Sequence, residues 1–461
     1  MIKKEVLSLL LILIVHAFIL TKLIFFPYPE FFIYPYLTNH GLKPYSQIFD
    51  QHFPGLMFLP INFNNLGMTT PEIARIWLIT VVLITQVLIF LVARQVLKDN
   101  KKALLVNLLY LFLQPFFEGW VLWIDSFLPL FLLTAFYSLN NFFEEKDNIK
   151  LVFFAGLYLG IGVVFKQVLI PLSGVLLIYL FLVDKRLKPL LYFLLGFLLP
   201  VSLMLFYLWN IGVLKDFWFW TATFNITTFA KYGRKWPTIP GFLRVSFVLT
   251  FAALSLVGWK RKDVQLLLLF TLGSLAAIYQ RFDFVHLQPA LPFILISTVL
   301  GFSLIWKKIY SRSLLVVYVL VLVWWLVIFY RGHWGNKVFF FDPQMIQISR
   351  KIKNNTKMGE EIFIFGVAPH LYFLSETIPV GKIFVFQFPW FMMETEGKTL
   401  AAMKTVKPNL VVRDRSVKIE EQPLIQFAAK LDLYISQNYE TFDRVGDVEI
   451  MKRKEVYADR F

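Results

Sequence analysis

Three kinds of side chain in this sequence could do chemistry together: carboxylates that can take a proton, histidines that can orient one, and cations that can hold an anion. They gather first in the stretch 27–60, where Glu30, His40, Asp50 and His52 stand among prolines and aromatic residues. Glu118, Asp125, Lys166, Arg234 and the cluster Arg281, Asp283 and His286 follow at wide intervals. A carboxylate within about 3 Å of a hydroxyl can accept its proton as the oxygen attacks. Lys166, Arg234 and Arg281 could hold phosphate oxygens, arginine through a planar fork and lysine as a point charge. Histidines 40, 52 and 286 could in principle bind a divalent metal, but their separation has no ligand spacing and none is indicated. Asp125 is the sharpest case, because it sits in WVLWIDSFLPLFLL with only Ser126 polar beside it. A charge at mid-membrane costs about 2.5–3.5 kcal/mol on insertion scales, so a structural Asp125 requires a buried basic partner. The other residues have plainer readings: Asp50 as a turn former, and the cations as interfacial anchors snorkelling outward.

These residues are set in a membrane-grade background. Hydrophobic residues make up 58% of the 461 and charged residues 16%, with mean hydropathy +0.64, against about 45–50% and 25% in soluble domains. The chain therefore reads as a polytopic α-helical membrane protein. Its net charge of +16 is distributed in short clusters between apolar runs, which is the pattern of membrane orientation and not of nucleic-acid binding. The absence of cysteine excludes disulfides and thiolate metal sites.

Apolar runs and their breaks predict spans near 6–26, 72–97, 102–117, 121–140, 150–165, 168–183, 188–210, 241–259, 263–279, 285–306 and 313–331, about eleven in all. The first run follows Lys3 and Lys4 without a small-residue cleavage site, and reads as a retained span. Around Pro115 and Lys166 a short turn and a kinked helix look alike in sequence. The clusters Lys3/Lys4, Arg94/Lys98/Lys101/Lys102, Lys146/Lys150, Lys185/Arg186/Lys188, Lys260–Lys262 and Lys307/Lys308/Arg312 fall on one side, which the positive-inside rule makes cytoplasmic, with the amino terminus inside. Every candidate polar residue then falls on the other side. The loop 211–240 breaks the rule with Lys215, Lys231, Arg234 and Lys235, a cluster that could serve an anionic ligand.

Residues 1–331 thus read as a transmembrane catalytic module with a large first outer loop at 27–71, and 332–461 as an extracytoplasmic α/β domain. In the latter, 361–367, 384–386, 409–414 and 448–452 read as strands, with helices near 343–354, 395–405 and 420–437. The Gly366-Val-Ala-Pro-His370 turn lacks the spacing of a dinucleotide site. P-loop, G-x-S-x-G and H-E-x-x-H motifs are absent from the sequence, which argues against ATP-driven pumps and the commonest hydrolases.

The first span, the acidic Glu30, an aromatic helix, the N-H-G-L-K-P-Y turn and the D-Q-H-F-P-G segment together resemble the GT-C class of glycosyltransferases. The likeness is to bacterial and archaeal relatives of dolichyl-phosphate-mannose protein mannosyltransferases. Gly41 to Asp50 is similar to that family's G-x-x-P-Y loop, and Arg281-FDFVHLQPALP292 to its late-span turn. The resemblance implies inverting transfer of a sugar from a polyprenyl-phosphate donor on the non-cytoplasmic face of the plasma membrane. The acceptor would be a protein, lipid or glycan, and the resemblance implies a reaction that usually uses no nucleotide. It implies Glu30 or Asp50 as base and Asp125 or Glu118 as an orienting group. Many relatives carry an Asp-Glu pair where this chain has Pro29-Glu30, so both candidates stand. His52, Glu118, Lys166, Arg234, Arg281 and His286 are the expected substrate-binding residues. The competing expectation is a transporter or flippase of lipid-linked saccharides; such proteins commonly show internal repeats, and the chain has no repeated half.

Overall fold

A computed structural model describes residues 4–145 and 148–454; Lys3, Lys146 and residues 455–461 lie outside the described set, as does the side chain of Gln280. Among the described residues eight helices are long and apolar enough to cross a membrane: Lys4–Lys22, Pro71–Leu97, Ile124–Glu144, Gln167–Asp184, Leu187–Asn210, Ile239–Gly258, Lys262–Tyr279 and Ser311–His333. The other three expected runs fall on the shorter helices Asn100–Gln114, Ile149–Phe165 and Leu291–Ile305. Leu291–Ile305 is apolar on every face and buried on nearly all of it, as a helix at the centre of a bundle must be. Ser311–His333 instead exposes Val316, Leu320, Trp324 and Val327, an outward face suited to lipid.

Both ambiguous junctions are breaks. The helix Asn100–Gln114 ends at Pro115 in a tight turn in which Glu118 adopts φ +59°. Ile149–Phe165 ends at Lys166, whose backbone is extended before a short turn and the next helix. Inside the bundle a chain of amides and one imidazole ties the first helix to its neighbours. His16 Nε2 lies 3.2 Å from Gln114 Oε1 and its Nδ1 3.0 Å from Gln86 Nε2, while Asn107 Nδ2 donates to the Gln86 carbonyl at 2.7 Å. Such polar contacts hold helices where burial alone gives no preference for neighbour over lipid.

Ile149–Phe165 and Leu187–Asn210 touch through glycine. A Cβ on Gly156 would stand 2.1 Å from the Phe193 carbonyl oxygen, one on Gly160 2.3 Å from that of Phe197, and one on Gly196 2.1 Å from that of Phe153. The backbones approach closely because the side chains are missing, the small-xxx-small device of membrane helices. Gly160→Val is therefore expected to separate these helices and destabilise the detergent-solubilised protein by about 1–3 kcal/mol, the usual cost of overpacking. Thermal unfolding of the variant checks this.

Contacts at one end of the bundle link the connections around Lys98, after Glu144 and at 260–262. Lys98 pairs with Glu144 at 2.5 Å, Arg261 donates to the Val96 carbonyl at 2.9 Å, and Tyr179 Oη donates to the Lys262 carbonyl at 3.2 Å. At the opposite end the opening loop folds into the helix Glu30–Asn39, a two-residue strand Ile48–Phe49 and a turn at Gly55–Phe58.

The carboxyl-terminal part contains a five-stranded sheet in the order Tyr439–Val445, Val448–Arg453, Leu410–Arg413, Glu361–Phe365, Ile378–Pro379. The first two pairings are antiparallel and the last two parallel, flanked by Pro343–Asn355, Pro389–Val406 and Ala429–Asn438. Tyr439–Val445 was not expected as a strand. It is the sheet edge, with alternate residues exposed and three of its seven charged, so it carries no apolar signal. Phe384–Val385, an expected strand, does not join this sheet; it pairs in parallel with Ile48–Phe49 of the opening loop. Aromatic contacts reinforce that seam, with Phe32 against Phe341 at 4.9 Å and Tyr36 against Phe373 at 5.7 Å between ring centroids.

Candidate functional site

Glu30 opens its helix directly after Pro29, without a side-chain cap, and is buried. Its Oε2 is enclosed and has no hydrogen-bond partner. Burial pushes the carboxyl up to about 8; its own backbone amide opposes this and the nearby charge of Asp50 adds to it. Glu30 is thus an unsatisfied acid in a low-dielectric wall, the state in which a carboxyl is poised to exchange a proton near neutral pH.

Asp50, by contrast, is fully occupied. Oδ2 accepts from Tyr34 Oη at 2.6 Å, and Oδ1 accepts from the backbone amide of His52 at 2.7 Å and contacts its Nδ1 at 2.9 Å. Burial, with Asp50 next in effect, holds the Tyr34 phenol well above its ordinary value, so it remains a donor. Tyr45, at φ +63°, donates to the His52 carbonyl at 2.9 Å, which locks the D-Q-H turn from the other side.

Asp125 has the buried basic partner that a structural role requires. Lys166 Nζ donates to Asp125 Oδ2 at 2.6 Å, and His286 Nδ1 lies 2.9 Å from the same oxygen and 3.2 Å from Lys166 Nζ. One imidazole nitrogen cannot donate and accept at once. The shorter carboxylate contact assigns the proton to Nδ1, leaving Nε2 as an acceptor. Burial, reinforced by the Lys166 charge, lowers the His286 pKa, so the ring is neutral and the lysine keeps ammonium protons to offer elsewhere.

Glu118 serves the same group indirectly. Its Oε2 accepts from the amide of Val285 at 3.0 Å, fixing the turn Phe284–Leu287 that carries His286. Burial raises the Glu118 pKa against that hydrogen bond. The left-handed Glu118 backbone is held by Gln288 Nε2, which donates to the carbonyls of Phe117 at 2.5 Å and Gln114 at 3.1 Å, and by Gln114 Nε2, which donates to the Gly119 carbonyl at 3.0 Å. A non-glycine residue in this conformation persists where its surroundings over-determine it.

Arg281 reaches across to the carboxyl-terminal part. It pairs with Glu420 at 2.5 Å and Asp283 at 3.3 Å, and lies 5.5 Å over the Trp390 ring. The basic cluster of loop 211–240 divides: Lys235 is occupied by Asp283 at 2.7 Å, whereas Arg234 stacks on Trp236 at 4.1 Å and Tyr279 at 4.7 Å. Among the described residues Arg234 has no carboxylate partner.

A cavity of about 110 Å³ joins most of these groups, lined by Glu30, Tyr34, Asp50, His52, Arg281 and His286 with Trp390 from the carboxyl-terminal part. A smaller space of about 50 Å³ adjoins it and adds Lys166, Gln167 and Asn225. Asn225 and Phe229 then line a groove of about 260 Å³ with Arg234, Tyr279 and the exposed Ile226, and Arg234 carries the exposed Trp236 beside it. The three spaces share lining residues in series, His52, Arg281 and His286 between the first two and Asn225 and Phe229 between the last two, from the exposed Ile226 to Glu30. Of the expected residues, Glu30, Asp50, His52, Arg281 and His286 meet in the first cavity, Lys166 in the second and Arg234 in the groove. Asp125 and Glu118 stand behind them. His40 lies apart, on the Tyr36 carbonyl at 2.8 Å, and among the described residues no three of His, Asp and Glu converge as metal ligands would.

Tyr34, Gln167, Asn225 and Trp390 were not foreseen. Asn225 Nδ2 and Gln167 Nε2 both donate to the Gln51 carbonyl, at 3.0 and 2.8 Å, pinning the loop from two distant helices. The only sequence signal for Trp390 was the aromatic run Phe384-Val-Phe-Gln-Phe-Pro-Trp-Phe391, too dense for a half-buried strand.

Residues 52–209 match the family model described as dolichyl-phosphate-mannose-protein mannosyltransferase. No curated protein sequence matches the chain. Among solved structures, ArnT from Cupriavidus metallidurans, bound to undecaprenyl phosphate, is similar with a TM-score of 0.63 at 12% identity, covering 98% of each chain. The archaeal oligosaccharyltransferase AglB from Archaeoglobus fulgidus, in complex with an inhibitory peptide and a dolichol-phosphate, gives 0.59 at 11% identity. That match covers 98% of this chain and 74% of the other. The expected GT-C resemblance is borne out, and at these identities what is shared is the fold.

Proposed function

We propose, for a chain of GT-C fold with a mannosyltransferase-like segment, a membrane glycosyltransferase. It moves a sugar from a polyprenyl-phosphate donor to an acceptor nucleophile on the non-cytoplasmic face of the plasma membrane. The observation that carries this reading is the enclosed Glu30 carboxyl, with one oxygen unpartnered, at the inner end of a series of adjoining spaces that begins beside the exposed Ile226. An acceptor oxygen attacks the anomeric carbon from one side, its proton passing to Glu30. The bond from carbon to phosphate oxygen breaks on the other, and the electron pair leaves with the polyprenyl phosphate. A single displacement of this kind inverts the sugar.

The departing phosphate is a stable anion and needs cations, not a general acid. Lys166 and Arg281 supply them at the inner end, the first oriented by Asp125 and the second by Glu420 and Asp283. Asp50 is assigned to holding Tyr34 and His52 in place, since every contact it makes is already committed. That ArnT and AglB are solved with lipid phosphates supports a donor of the same class, with the prenyl tail leaving along the Arg234 groove into the bilayer. Arg234→Ala is accordingly expected to raise the KM for the lipid donor about tenfold, the equivalent of one charge-assisted contact, with kcat within about twofold. Initial rates over a range of donor concentrations in proteoliposomes check this.

Purified protein in vesicles with an undecaprenyl-phosphate-linked sugar tests the reading itself. Release of undecaprenyl phosphate that depends on an added acceptor supports transfer. Movement of the intact lipid-linked sugar across the bilayer without release would assign transport instead.

A further inference from the structure

A cavity of about 460 Å³ lies beside the polar spaces described above and is mostly apolar. It sits between the opening loop and the carboxyl-terminal sheet, walled by Phe363, Tyr372, Phe384, Phe386, Phe388 and Tyr28. Protein interiors leave few voids larger than a water molecule, so a space of this size is a built feature. It opens at the carboxyl end of Glu361–Phe365, where α/β sheets place their ligands. Gly366 keeps it there: at φ +77° its backbone passes so near the next strand that a Cβ would stand 2.2 Å from the Asp414 carbonyl oxygen. The lining carries no phosphate-binding loop, and its one lysine, Lys418, is exposed at the edge.

Tyr28, Glu30, Phe386 and Phe388 line both this cavity and the polar one. The unpartnered Glu30 oxygen therefore stands in the wall that the two spaces share. We propose that the apolar cavity is the acceptor subsite, and that it takes an aromatic group borne next to the attacking hydroxyl. Rings on several sides favour an aromatic occupant, whose edges and faces can meet them in tilted or edge-on contact. With the ring seated there, the hydroxyl projects past Phe386 and Phe388 toward Glu30, and the sugar approaches from the other side. This rests on the transfer reading above and adds the chemical class of the acceptor.

The test uses the full-length protein in nanodiscs and the photoreactive alcohol 4-(hydroxymethyl)benzophenone. Saturable labelling of the segment 363–388 is expected, displaced by excess benzyl alcohol. Ala368→Trp and, separately, Val417→Trp, both of which line the cavity, are expected to abolish the labelling while undecaprenyl phosphate still binds. Labelling that is unsaturable, that maps elsewhere, or that persists in both folded variants overturns the proposal. So does displacement by n-dodecanol but not by benzyl alcohol, which would assign a linear chain. Failure of the transfer reading has a different signature, namely cavity labelling intact with no acceptor-dependent release of undecaprenyl phosphate.

Discussion

Glu30→Gln is expected to reduce sugar transfer by about 10²–10⁴-fold, the range in which a positioned general base acts, while leaving undecaprenyl phosphate binding intact. The glutamine keeps the shape of the wall and removes only the ability to take a proton. Two pH signatures accompany it. With the Glu30 carboxyl raised to about 8, the wild-type rate should climb with pH through that value as the base form appears, and the residual rate of the variant should lack this limb. Stability moves the other way. A carboxyl whose folded pKa lies above its unfolded value of 4.5 favours folding at low pH, and that contribution is lost as pH rises from about 4.5 to 8. Glu30→Gln does not titrate, so relative to wild type it should gain stability, up to a few kcal/mol, between pH 5 and pH 8. A thermal melt at the two pH values separates this from simple damage to the loop. Asp50→Asn disturbs the Tyr34 and His52 contacts and removes the nearby charge that adds to the raised Glu30 pKa, so it should lower transfer and move the pH limb to lower pH without abolishing it.

The second large effect belongs to Asp125 and Lys166, which meet at 2.6 Å with side chains almost wholly enclosed. Removing either partner leaves the other charge buried alone, at about 3–5 kcal/mol. Asp125→Leu and Lys166→Met are each expected to lower the melting point sharply. The double variant should recover most of that loss, because an apolar pair of similar volume is often no worse than the ion pair it replaces. Activity should not recover with it, since the proposed phosphate contact of Lys166 is gone. Melting and transfer measured across all four proteins form a double-mutant cycle. Recovery of transfer in the double variant would make the pair purely structural.

How much of this could be read beforehand depends on the range of the interactions involved. The bundle was legible because apolar runs are local signals, and the junctions at Pro115 and Lys166 were located though not resolved into turns. That Asp125 needed a basic partner also followed from its surroundings alone. That the partner is Lys166, with His286 against the same oxygen, did not, because nothing local links three separate segments. The choice between Glu30 and Asp50 inverts the sequence impression: Asp50 has the clearer motif, but the motif is a turn whose hydrogen bonds consume the carboxylate. Glu30 has a plain setting, yet it is buried with one carboxyl oxygen left without a partner. The carboxyl-terminal part was recognised as strands and helices, yet Phe384–Val385 pairs with the opening loop instead of the sheet. That long-range pairing brings Phe386, Phe388 and Trp390 to the site, and no periodicity announces it.

The central claim is that Glu30 faces the reacting carbon. An experimental structure of the protein with a non-hydrolysable undecaprenyl-phosphonate sugar tests it most directly. The account predicts the anomeric carbon nearer to Glu30 than to Asp50 or Asp125, with space for one acceptor oxygen between, and the phosphonate against Lys166 and Arg281. An anomeric carbon nearest Asp50, with Glu30 screened from it by protein, would contradict the account.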